Sequence, residues 1–185
     1  MIITLALATG LAVGSAPAQS SAQARYDVVI RHGRVLDGSG NPFFYADLGI
    51  RGDTIVAVGD LRQAAAGREI DARGQYVTPG FIALHEHIER SILDGHGTLP
   101  NFTTQGFTTA VIDADGRDVV WPLSKQRADL ERAGSALNLV MLVGHGTVRS
   151  MAMGTDFERA ATAAEVERMK ELVRQGMQDG AFGLS

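Results

Sequence analysis

The sequence predicts an α/β fold in which a small β unit precedes a run of βα units. Three observations carry that reading. From Tyr26 to about Thr78 the chain alternates short apolar stretches with tight-turn residues. After Pro79-Gly80, continuous apolar runs replace the alternation. Those runs then alternate with segments of helical period, the pattern of a parallel sheet with crossover helices.

In the first part, Val28-Val29-Ile30 and Arg34-Val35-Leu36 flank His32-Gly33, and Asp47 to Ile50 and Thr54 to Val58 flank Arg51-Gly52-Asp53. Glycine turns between apolar stretches read as hairpins, so this part is expected to be a small antiparallel unit. Asp53 and Asp60 are read as turn residues, and His32 and His96 as turn or surface residues.

In the second part, Phe81-Ile82-Ala83-Leu84 has no polar face and reads as a strand buried on both sides. A helix is expected from Leu99 to Gln105, stopped by Gly106, and a second strand from Thr108 to Ile112. Trp121-Pro122 opens a second helix that runs to Ala133, and Leu137 to Val143 forms a third strand. His145 and Arg149 then fall in a loop ended by Gly154. Thr162 with Glu165 forms a capping box for the third helix, whose apolar face is read as Val166, Met169, Val173 and Met177. Ala181 to Leu184 opens a fourth strand. This amounts to roughly three and a half βα units, where a closed barrel takes about 250 residues. The reading therefore expects the remaining units beyond Ser185. A barrel and an open α/β sheet both satisfy the pattern.

Composition narrows the chemistry. With 45% hydrophobic residues over 185, the chain is globular in type. A net charge of -4, with acids and bases interspersed, forms no basic stripe, so neither nucleic acid nor anionic lipid is an expected partner. The chain has no cysteine, which excludes disulfides, a thiolate nucleophile and a sulfur-ligated zinc. Any metal must be held by His and carboxylates. Residues 1–24 read as a signal peptide, with an apolar run from Ile2 to Val13 and Ala-x-Ala triplets ending at Ala18 and Ala24. About twelve apolar residues are too few to span a bilayer, so an exported, periplasmic or secreted protein is expected rather than an anchored one.

His85 and His87 stand two apart at the end of the first buried strand. Alternation along a strand turns both imidazoles to one side, and strand C-termini are where barrel active sites are built. Such a pair can ligate one metal, or the two histidines can be structural and hydrogen-bonded. Asp113 and Asp115 follow the second strand, and carboxylates there either ligate or close the turn. His145 and Arg149 follow the third strand at the same end. His145 can orient substrate and Arg149 can pair with a substrate carboxylate, or the two can simply hold their loop.

Several ordered segments together resemble the amidohydrolase superfamily: Tyr26-Asp27-Val28-Val29-Ile30-Arg31, Asp37 to Pro42, and Thr78-Pro79-Gly80-Phe81-Ile82 leading into His85-Glu86-His87. Gly106-Phe107-Thr108-Thr109, Val143 to Arg149 and Gly180 to Ser185 narrow the resemblance to its D-aminoacylase branch, the N-acyl-D-amino-acid deacylases. The resemblance covers nearly everything after Arg25. It implies an α/β fold made of the N-terminal half of a metal-dependent (β/α)8 barrel (residues 80–185), preceded by part of a small β-sandwich (residues 25–79).

It further implies a divalent metal, zinc by preference, and hydrolysis of a C–N amide bond in an acylated D-amino acid by a metal-activated water. The implied ligands within this chain are His85, His87 and Asp115, the last standing where related deacylases carry a cysteine in a Gly-Asn-Cys-Gly setting. The implied substrate contacts are His145 and Arg149. Glu86 is expected to point away from the metal, and the general base is expected beyond Ser185. Within the same superfamily a cyclic amidase or a dipeptidase is the alternative. Outside it stands a degenerate barrel serving as an exported binding protein, which the missing cysteine would suit.

Overall fold

The computed structural model describes residues 25–116 and 119–185, and the expected signal peptide lies outside them. The chain divides into two compact units, one ending at Thr78 and the other running from Pro79 to Ser185.

The first unit is a mixed sheet. Its strands are β1 (Arg25–Val35), β2 (Phe44–Arg51), β3 (Thr54–Gly59), β4 (Ala65–Asp71) and β5 (Tyr76–Val77). They lie in the order β3-β2-β1-β4, with β5 also on β1. The hairpin at Arg51-Gly52-Asp53 is present, with Gly52 at φ 59° in its turn.

Two expectations fail here. His32-Gly33 is no hairpin turn: β1 runs straight through it, and the β1–β2 register shifts between Ile30 and Gly33. The bulge forms because the buried Asp47 carboxylate accepts the His32 N–H at 2.8 Å, satisfying the donor that the ladder leaves out. The unit is also not wholly antiparallel, because β4 and β5 run parallel to β1. Arg31 pins that crossover by donating to the carbonyls of Leu61 at 2.8 Å and Ala64 at 3.0 Å, and to Glu69 at 2.9 Å.

The second unit is built on four parallel strands, β6 (Phe81–Ala83), β7 (Phe107–Ile112), β8 (Asn138–Val143) and β9 (Gly183–Leu184), in sequence order. The connections are helical: α1 (Glu89–Ser91) running into a π-type turn (Ile92–His96), α2 (Pro100–Thr103), α3 (Leu123–Ala133), α4 (His145–Met153) and α5 (Ala163–Gln178). The predicted helix from Leu99 shortens to one turn, and Pro122 stands just before α3. Among the described residues no helix is long and apolar enough to cross a membrane.

Two apolar clusters hold the unit. Ile92, Ile112, Leu130 and Met141 centre the first, and Leu123, Val143, Val148 and Leu172 the second. The capping box on α5 is complete: Glu165 N–H donates to the Thr162 hydroxyl, and Thr162 N–H to the Glu165 carboxylate at 2.8 Å. Its buried face is rotated from the predicted one. Leu172 and Gly176 are buried with Met169 and Val173 beside them, while Val166 and Met177 are exposed. Gly176 allows that rotation, because a Cβ there would lie 2.5 Å from Val143.

Candidate metal centre

β6 ends at Ala83, two residues before the His-Glu-His segment. The backbone stays registered on β7 beyond that point, because Glu86 N–H donates to the Val111 carbonyl at 3.0 Å. This bond fixes the residue between the two histidines. Glu86 is half-buried and its neighbours on both sides are exposed. His85 and His87 are thereby set side by side, with ring centroids 5.3 Å apart and planes at 73°.

β7 delivers the third group. At its C-terminal end Asp113 takes φ 64°, the left-handed conformation that an Asp tolerates better than most residues, and Gly116 N–H closes the turn on the Asp113 carbonyl at 3.2 Å. The turn projects Asp115 over the histidines. Nε2 of His85 lies 3.1 Å from Oδ1 of Asp115, and Nε2 of His87 lies 3.1 Å from Oδ2. All three side chains are more than half exposed, so the carboxylate has been brought here without burial forcing it. One ligand atom from each lies within 4.8 Å of the others, the only such His or carboxylate group among the described residues.

These donors suit a divalent cation. Two imidazole nitrogens and one carboxylate oxygen form a nitrogen–oxygen set typical of zinc, manganese or iron, and the carboxylate offsets the cation's charge.

Asp113 is not a second exposed ligand. It is 8% exposed, its N–H donates to the Glu89 carboxylate at 2.9 Å, and its Oδ1 accepts from Gln126 Nε2 at 2.9 Å. Burial pushes its carboxyl up to about 6; the Gln126 hydrogen bond opposes that rise, the Glu89 charge adds to it and His87 opposes it. Glu89 and Gln126 escape sequence reading, since only the tertiary fold brings them to Asp113.

His145 and Arg149 sit on α4 rather than in a loop. Gly144 precedes the helix in extended conformation with no side-chain cap, so the usual sequence signal of a helix start is missing. Both residues line one cleft of about 680 Å³ with Asp115 and Ser185. The Arg149 guanidinium holds the following loop by donating to the Phe157 carbonyl at 2.5 Å and to the Arg159 carbonyl. His32 and His96 are exposed and neither belongs to the cluster, His32 standing against Asp71 at 3.0 Å.

Comparison with known proteins agrees with this geometry. No protein-family model matches the chain. A D-aminoacylase of Alcaligenes xylosoxydans xylosoxydans is 35% identical over 183 residues, covering 86% of this chain and 37% of the relative. A solved D-aminoacylase with a binuclear metal centre superposes with a TM-score of 0.74 at 34% identity, over 86% of this chain and 38% of that one. The N-acyl-D-glutamate deacylase of Bordetella bronchiseptica, solved with zinc and a phosphonate inhibitor, superposes with a TM-score of 0.75 at 30% identity, over 87% and 38%. The chain thus spans little more than a third of the length of the proteins it matches. Over that span, by sequence and by fold alike, it belongs to the D-aminoacylase branch of the amidohydrolases.

Proposed function

We propose that the whole protein is an exported, metal-dependent hydrolase that removes the acyl group from N-acyl-D-amino acids. The observation that carries this reading is the gathering of His85, His87 and Asp115 at the C-terminal ends of parallel strands in a chain of this family.

When bound, a divalent cation supplies Lewis acidity toward the amide carbonyl and toward water. His85 and His87 would hold it, which requires each ring to be neutral with its metal-facing nitrogen unprotonated. Asp115 would supply the third donor and compensating charge. The cleft beside it receives the substrate: His145 orients the acyl amide, and Arg149, anchored over its loop, faces the substrate carboxylate. Residues 80–185 are read as the first part of the barrel and residues 25–79 as part of the accompanying sandwich.

The test uses purified full-length protein. Bound metal at about one equivalent or more, hydrolysis of N-acetyl-D-amino acids in preference to the L forms, loss of activity with chelator and recovery with zinc would support the proposal. Full activity after complete metal removal, or no hydrolysis of any N-acyl-D-amino acid by metal-replete protein, would overturn it. Export has its own test: the mature protein should begin near Gln19 or Arg25, and intact Met1 on soluble cytoplasmic protein would refute it.

A further inference from the structure

We propose that Gln126, on α3 and outside the ligand cluster, is a positioning residue for the metal centre, acting through Asp113. The inference rests on the metal-centre reading above. Asp113 ties three pieces of backbone together. Its N–H donates to Glu89, two residues beyond His87, and its carboxylate accepts from Gln126 on α3. Its left-handed backbone starts the turn that carries Asp115. The position of the Asp115 carboxylate relative to His87 therefore passes through Asp113, and Gln126 is the side chain that holds the Asp113 carboxylate. His87, Glu89, Asp113, Asp115 and Gln126 all line one cavity of about 250 Å³.

The packing argues that this pair serves position rather than stability. Gln126 is 3% exposed and Asp113 8%, yet Oε1 of Gln126 and Oδ2 of Asp113 are both buried without a hydrogen-bond partner among the described residues. Burying a polar pair joined by one hydrogen bond incurs a desolvation cost that two apolar side chains of the same volume would not. What the pair provides is direction. A single bond of 2.9 Å between the helix and the turn selects one orientation of the Asp113 side chain. Groups that orient ligands in this way typically change metal affinity about 10- to 100-fold when removed.

The experiment measures zinc affinity of the full-length protein by competition with a chromophoric chelator, alongside thermal unfolding of the metal-free form. Gln126→Met keeps the side-chain length and removes the donor, and should weaken zinc binding about 10- to 100-fold. Glu89→Ala, which frees the other end of Asp113, should weaken it similarly, while Glu89→Gln keeps an acceptor and should restore it. Leu130→Ala on the same helix is the stability control: it should lower the unfolding temperature and leave affinity within about threefold.

Gln126→Met binding zinc as tightly as the parent would overturn the inference. So would Leu130→Ala losing as much affinity as Gln126→Met. Should Gln126→Met not fold, Glu89→Ala binding as tightly as the parent overturns it equally. A parent protein that binds no zinc fails the metal reading itself, which is a separate outcome.

Discussion

Thr147 clamps Gly116, the residue after Asp115: its N–H donates to the Gly116 carbonyl at 2.8 Å, and its hydroxyl donates to the same oxygen at 3.4 Å. The Thr147 hydroxyl also accepts the Val119 N–H at 3.1 Å. The start of α4, with His145 at its first position, is thereby stitched to the loop that presents Asp115. Strand order brings these two loops near each other, and this clamp fixes their contact.

Gly116 should tolerate no side chain. Its φ is 67°, and a Cβ would lie 2.8 Å from the Ser185 hydroxyl and 2.9 Å from the His145 backbone nitrogen. Gly116→Ala should cost about 1–3 kcal/mol in denaturant unfolding and reduce metal occupancy as the Asp115 loop shifts.

The two aspartates should separate in their effects. Asp115→Ala removes a carboxylate that faces both imidazoles, so metal content and turnover should fall together, affinity by more than about 100-fold. His85→Ala should behave alike. Asp113→Ala leaves the buried Gln126 amide without its acceptor while the backbone N–H at 113 still reaches Glu89, so thermal stability should fall along with a smaller loss of affinity. Metal analysis and melting curves on all three variants check the ordering.

Acid should unfasten α5 at its N-terminus. The Arg159 guanidinium, followed by the Thr162 backbone N–H, holds the Glu165 carboxyl down to about 2 from an ordinary 4.5. A depressed folded-state value means the contribution is present above pH 4.5 and is lost as pH falls toward 2. Glu165→Gln should remove that acid-limb dependence, measured as unfolding midpoint against pH.

The rotated face of α5 can be checked by truncation. Leu172→Ala, at 1% exposure in the second apolar cluster, should cost about 2–5 kcal/mol. Val166→Ala, at 39% exposure, should cost no more than about 1 kcal/mol.

The sequence alone determined the elements whose signals are local. Apolar runs mark β6, β7 and β8, the Thr162–Glu165 box starts α5, and the Gly52 turn joins β2 to β3, because each depends on residues within a few positions of one another. That His85 and His87 form a pair on one side was legible for the same reason, since alternation along an extended segment turns residues two apart the same way. Asp115 joined them in the sequence only through the resemblance to related deacylases, and the structure brings its carboxylate to 3.1 Å from each ring.

Only the tertiary structure decided the rest. The bulge at His32 exists because Asp47, fifteen residues away, captures its N–H. β4 is a strand because β1 offers it an edge, and its own residues are mostly exposed. α4 begins without a side-chain cap because Gly116 lies against it, and Asp113 turns inward because Gln126 and Glu89 meet it there. In each case a hydrogen bond between residues remote in sequence outweighs local preference, since a buried donor or acceptor left unpaired costs more than the conformation it would otherwise favour.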